Sequence, residues 1–137
     1  MNSPQRDRPL VLVVDQDQAV VDAISSLLAA TGFASHCCLT AEAALEAAPL
    51  VRPDLIIADV SLQGLSGLEL CQQIKRDEAL ADVPVMFLSA GQIPDIIRRR
   101  DAGQASYFLR KPFAPEVLAE LIEQAIGLPR ELVDSGG

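Results

Sequence analysis

Basic residues are scarce in this 137-residue chain, where 11 Lys and Arg stand against 19 Asp and Glu for a net charge of −8. Phosphate contacts need a basic face, so direct nucleic-acid binding by this domain is not expected. The run Arg98-Arg99-Arg100 is the only basic cluster and reads as a solvated helix face. Long apolar runs are missing too. Leu10 to Val14 and Leu55 to Ala58 are far too short to span a bilayer, and the stretch Met1 to Pro9 lacks an apolar signal core, so no membrane association and a cytoplasmic location are expected. The three cysteines, Cys37, Cys38 and Cys71, form no C-x-x-C and are odd in number. Neither a disulfide framework nor a zinc site is suggested, and they read as buried small hydrophobes. The single histidine, His36, lies beside Cys37 on an expected strand and reads as a packed or edge residue, not a phosphoryl carrier. No internal repeat is apparent.

What is present is apolar bulk: hydrophobic residues make up 50% of the chain, a globular composition sufficient for one domain with a sizeable core. Its focus is Asp54-Leu-Ile-Ile-Ala-Asp59-Val-Ser61. An apolar run bounded by Pro53 on one side and Gly64 and Gly67 on the other reads as a buried strand, with Asp59 at its C-terminal end.

Around it the elements alternate. Residues 1–9 read as a loose arm. Leu10 to Val14 is a buried strand followed by Asp15. Val20, Val21, Ile24, Leu27 and Leu28 repeat at helical spacing up to Gly32. Phe33 to Leu39 is a short strand, and Thr40 caps an alanine-rich helix expected to stop at Pro49. Ser66-Gly-Leu-Glu69 has the form of a capping box and predicts a helix to about Glu78. Val83 to Ser89 is a fourth strand, Ile93 to Ala102 a short helix, and Ala105 to Leu109 a fifth strand. The final helix carries Val117, Leu118, Leu121, Ile122, Ala125 and Ile126, and ends at Gly127 and Pro129. Residues 10–126 thus form the domain and 127–137 a tail or linker.

Five nearly continuous apolar strands alternating with five helices predict an α/β fold, a three-layer doubly wound parallel sheet. The flavodoxin-like strand order 2-1-3-4-5 is the natural one, with its crevice between the first and third strands. Those strands lead into Asp15 and Asp59. Asp17, Ser89 and Lys111 come to the same edge, although an apolar sheet needs none of them. Crowded carboxylates call for a cation, and Mg2+ takes one or two carboxylates together with carbonyls, waters and phosphate oxygens. A nucleophilic carboxylate, a metal, a lysine clamp and a hydroxyl donor are the parts for phosphoryl transfer.

Four stretches in order, Val-Leu-Val-Val-Asp15-Gln-Asp17, Leu-Ile-Ile-Ala-Asp59-Val-Ser-Leu-Gln-Gly-Leu-Ser-Gly67, Val-Met-Phe-Leu-Ser89-Ala and Phe-Leu-Arg-Lys111-Pro-Phe, resemble the receiver domain of two-component response regulators over roughly residues 9–126. The resemblance implies that Asp59 is the phosphoacceptor, charged by a sensor histidine kinase, a phosphotransfer protein or a small phosphodonor. It further implies that Asp15, Asp59 and the Ser61 carbonyl hold Mg2+, and that Ser89 and Lys111 bind the phosphoryl group. The Lys111–Pro112 bond would be cis. Ser89 and Phe108 would be the switch residues, acting on a downstream protein target or a fused output domain, and Tyr107 should face away from Phe108.

The chain departs from the family pattern at Gln16, where a second acid usually binds the metal. The amide oxygen can still be a ligand, though without charge, and Asp17 is a candidate to compensate. Gln63 stands where a proline is common, and Gln104 where a glycine is. Two alternatives follow. Gln16 suggests a degenerate receiver that binds partners without phosphorylation. Asp15-Gln-Asp17 has the D-x-D form of haloacid-dehalogenase-like phosphatases, but Ala19 and the lack of a late acidic pair speak against it. A signalling domain and not an enzyme is expected, either stand-alone or part of a longer protein.

Overall fold

The computed structural model describes residues 8–91 and 106–127. The expected helix at Ile93 to Ala102, the Arg98-Arg99-Arg100 run, Gln104 and the tail beyond Gly127 lie outside them. So does most of the N-terminal arm, of which Pro9 is tied to the sheet by its carbonyl, accepting from the Ala34 N–H at 2.9 Å.

Five parallel strands, β1 (Leu10–Val14), β2 (Ala34–Cys38), β3 (Leu55–Asp59), β4 (Val85–Ser89) and β5 (Ser106–Arg110), form one sheet in the order β2-β1-β3-β4-β5. The described helices are α1 (Gln18–Ala30), α2 (Ala41–Val51), α3 (Gly67–Ile74) and α4 (Pro115–Ile126), with a 3-10 turn at Glu78–Leu80. Every residue of β1, β3 and β4 is buried, as strands covered on both faces must be.

The two-residue alternation of these strands divides the core in two. Leu12, Val14, Ile56, Ala58 and Phe87 face α2 and α3, packing with Ala44, Ala48, Leu70 and Ile74. Val11, Val13, Ile57, Met86 and Leu88 face the other way, against Ile24 and Leu28 of α1 and Leu118 and Ile122 of α4. Burying one such Leu or Ile contributes about 1.5–3 kcal/mol, so the interior strands anchor the edge on which the polar groups sit. Asp54 fixes the register at the far end: its N–H donates to the Leu10 carbonyl and its carboxylate accepts from the Leu10 N–H, both at 2.8 Å.

Side-chain caps start α2 and α3 as the sequence indicates, and α1 is capped by Asp17, which was expected instead as an acid of the metal-facing edge. The Asp17 carboxylate accepts from the Ala19 N–H at 3.0 Å and Thr40 Oγ1 from the Ala43 N–H at 3.1 Å. Ser66 and Glu69 form the reciprocal capping box. Gly32 takes φ 91° after α1.

β2 and β4 are trimmed to Ala34–Cys38 and Val85–Ser89, and two helix ends differ from expectation. Helix α2 runs through Pro49 to Val51, because a proline in the last turn forfeits only the bond to the Leu45 carbonyl; the helix closes at Arg52, with φ 50° and an N–H bond to the Ala48 carbonyl. Helix α3 ends at Ile74, short of Glu78. The polar run Lys75 to Glu78 gives no apolar face to bury, and Asp77 instead caps the 3-10 turn through the Ala79 N–H at 3.0 Å.

The cysteines also divide. Cys38 and Cys71 are buried, and burial, then the neighbouring Cys37, raises the Cys38 thiol above its ordinary pKa. Cys37 is exposed, contrary to expectation, because β2 is an edge strand whose middle is open to solvent; His36 shares that exposure.

Candidate functional site

Four strands end at one rim, and each delivers a polar residue to it. Asp15 follows β1, Asp59 closes β3, Ser89 closes β4 and Lys111 follows β5. All but Lys111 are buried, with Asp15 fully inaccessible. Such burial is costly for a carboxylate unless it is paired or hydrogen-bonded.

Lys111 supplies the pairing. Its Nζ lies 2.6 Å from Asp15 Oδ2 and 3.0 Å from Asp59 Oδ2, one ammonium shared by two carboxylates. Burial pulls the Lys111 pKa down, but its contacts with Asp15 and Asp59 and their negative charges outweigh that, and the net shift is upward. The backbone places the side chain: the Lys111 N–H donates to the Ser89 carbonyl at 2.8 Å, extending the β4–β5 ladder past its last pair, and the following bond to Pro112 is cis, as expected.

The remaining carboxylate oxygens are held by backbone. Asp15 Oδ1 accepts from the Asp17 N–H at 2.9 Å and Asp59 Oδ1 from the Ser61 N–H at 3.0 Å. Asp15 Oδ2, by contrast, has no hydrogen bond of acceptable geometry among the described residues, its approach to Lys111 being an ion pair by proximity alone. A buried, negatively charged oxygen left without a directed donor suits a hard cation. Two carboxylates and nearby carbonyls are the donor set Mg2+ takes, so the residues fit that ion; no group of three or more His, Cys, Asp or Glu suited to a metal exists among the described residues.

Ser89 Oγ accepts from the Gly91 N–H at 3.3 Å, which leaves its own proton available to another acceptor. Gln16 is not aimed at an acid: its Oε1 accepts from the Gln63 N–H at 3.1 Å. The Asp17 carboxylate is used in capping α1. Phe108, half-buried, stacks on Phe87 with centroids 5.9 Å apart, whereas Tyr107 packs in the opposite layer, as alternation requires.

Sequence reasoning missed the role of Gly67 as more than punctuation. A Cβ there would collide with the Asp59 carbonyl, so glycine is required where α3 starts against the end of β3. Its place eight residues after Asp59, next to a capping serine, was the available signal.

The family model described as the response regulator receiver domain matches residues 11–123. The chain belongs to the response-regulator receiver family. This receiver is 37% identical over 115 residues to the DNA-binding dual master transcriptional regulator RpaA of Synechocystis sp., covering 82% of the chain and 47% of the relative. It is 35% identical over 116 residues to the phosphate regulon transcriptional regulatory protein PhoB of Pseudomonas aeruginosa, covering 81% and 49%. The chain thus spans about half the length of the curated relatives it matches. Among solved structures, the Vibrio cholerae chemotaxis protein CheY4 superposes with TM-score 0.80 at 25% identity, covering 86% of this receiver and 98% of that chain. The N-terminal domain of a response regulator receiver protein from Methanoculleus marisnigri JR1 gives 0.69 at 28% identity, covering 85% and 95%. The receiver is therefore a signalling domain with the fold its sequence predicts. No described helix is long and apolar enough to cross a membrane.

Proposed function

We propose that this receiver accepts a phosphoryl group on Asp59 from a sensor histidine kinase or a phosphotransfer protein, with Mg2+ as cofactor, and thereby changes which partner it binds. The observation that carries this reading is the Lys111 ammonium shared by Asp15 and Asp59 at the carboxyl edge of the sheet. In the transfer, an Asp59 carboxylate oxygen attacks phosphorus as the donor's P–N bond breaks, or the P–O bond of a small acyl phosphate, and the electron pair leaves with the donor. Lys111, held protonated by its two acids, neutralises charge on the incoming group. The Ser89 hydroxyl donates to a phosphoryl oxygen.

Asp15, Asp59 and the Ser61 carbonyl would hold Mg2+, while the Gln16 amide oxygen stays on the Gln63 N–H. Bound there, the ion supplies positive charge that screens the carboxylates from an anionic phosphodonor. The switch is local: recruiting Ser89 toward Asp59 alters the end of β4, and Phe108, stacked on Phe87 of the same strand, responds. Output passes to a downstream protein or a fused domain. The relative RpaA is a DNA-binding regulator, which favours an output on DNA through such a fused domain and not through this acidic unit, which would act in the cytoplasm.

The test is NMR of the chain with Mg2+ and beryllofluoride, a phosphoryl mimic. Amide shifts at Asp59, Ser89, Phe108 and Lys111 that vanish in Asp59→Asn support the reading; unchanged spectra would refute it. A degenerate receiver is the second reading, favoured by the engagement of the Gln16 amide oxygen with Gln63. Failure to bind Mg2+ at millimolar concentration, with recovery in Gln16→Asp, would favour it.

A further inference from the structure

The loop between β3 and α3 carries the residues next to the phosphoacceptor, and its ends are secured by the neighbouring strand β4, by Asp59 and by its own backbone. The Val60 N–H donates to the Leu88 carbonyl at 2.9 Å, the Ser61 N–H to Asp59 Oδ1 at 3.0 Å, and the Gly67 N–H to the Val60 carbonyl at 3.1 Å. Its exposed crest, Gln63-Gly64, has Gly64 at φ 85°, the left-handed conformation that sets the turn. There the Gln63 N–H reaches across 47 residues of sequence to Gln16 Oε1, 3.1 Å away on the loop after β1. The bond needs an N–H at 63 and an acceptor at 16: a proline at 63 has no N–H, and an apolar side chain at 16 has no acceptor.

The bond is uncharged, so neither salt nor a cation is needed to form it. A carboxylate drawn to a divalent ion would couple the loop to that ion; an amide oxygen bonded to backbone does not. We propose that Gln16 is a positioning residue: through the backbone of Gln63 it holds the loop after Asp59, and with it the Ser61 N–H on Asp59 Oδ1, in one arrangement whether or not a divalent cation is present. The inference rests on the proposed phosphoacceptor role of Asp59 for its meaning, but the tether itself can be tested without phosphodonor or metal.

The experiment is amide hydrogen exchange by NMR on the whole chain, native and variant, without and with millimolar Mg2+. Gln16→Met keeps the length of the side chain and removes the acceptor, and should speed exchange at Gln63 about fivefold, the size of one modest net hydrogen bond, with a smaller rise at Ser61. Gln16→Glu restores an acceptor oxygen and should return both amides to the native rate. In the native chain Mg2+ should change exchange at Gln63 by less than about twofold, since no charged ligand links the bond to the ion. Gln63→Pro removes the donor instead and should raise exchange at Ser61 as Gln16→Met does. Unchanged exchange at Gln63 in Gln16→Met, or strong protection of Gln63 that appears in the native chain only on adding Mg2+, would overturn the proposal. If Mg2+ leaves every amide shift unmoved while the tether responses hold, the cation reading fails and the positioning role stands.

Discussion

The Lys111 ammonium stands 2.6 Å from Asp15 Oδ2, and that oxygen accepts no hydrogen bond of good geometry among the described residues. Two acids therefore depend on one cation. Lys111→Met should destabilise the metal-free domain by about 3 kcal/mol, because two buried carboxylates are left without their partner. Urea denaturation measures the loss. Adding Mg2+ should recover part of it, and Asp59→Asn in the same background should recover part by removing the repulsion.

The same pairing sets a pH dependence. The folded Lys111 pKa is raised above its unfolded value, so its contribution is fully present below the unfolded lysine pKa of about 10.4 and is lost as pH rises through the folded value. The stability gap between the native chain and Lys111→Met should be flat from about pH 7 to about pH 9 and should shrink only above about pH 10.4. A gap that closes near neutral pH would contradict the pairing.

Gly67→Ala places a methyl group against the Asp59 carbonyl. Something must shift at the start of α3, and forcing extra volume into a packed site costs about 1–3 kcal/mol. Thermal denaturation should show the loss, and beryllofluoride should bind Gly67→Ala more weakly than the native chain because the displaced backbone is that of Asp59.

Cys37 lies on the open edge of the sheet while Cys38 and Cys71 are buried, the Cys38 thiol also being held at a raised pKa. A maleimide at neutral pH should label Cys37 alone in the native protein and all three in urea. Rapid native labelling of Cys38 would show that β2 frays from β1.

Much of this was legible in the sequence because burial on both faces leaves a strong signature. Leu10 to Val14 and Leu55 to Asp59 are apolar at every position but the last of the second, and the rim residues Asp15, Asp59 and Ser89 break that pattern where packing gives no reason to. Helix starts at Ala41 and Gly67 were readable from Thr40 and the Ser66–Glu69 box, since each cap is local chemistry, whereas the capping role of Asp17 was hidden behind its place beside Asp15. Helix ends were not. The turn at Asp77 and the continuation through Pro49 depend on balances among neighbouring backbone bonds that no single residue announces. The exposure of Cys37 followed from the place of β2 at the sheet edge, which is topology and not composition. The Gln16–Gln63 bond joins residues 47 apart, and only the fold reveals that they meet.

The most direct measurement is intact mass and peptide mapping after incubation with acetyl phosphate and Mg2+. One acid-labile phosphoryl group on the peptide containing Asp59, absent from Asp59→Asn and reduced in Lys111→Met, is the expected result. No adduct, or one that persists in Asp59→Asn, would contradict phosphoryl acceptance at this pocket.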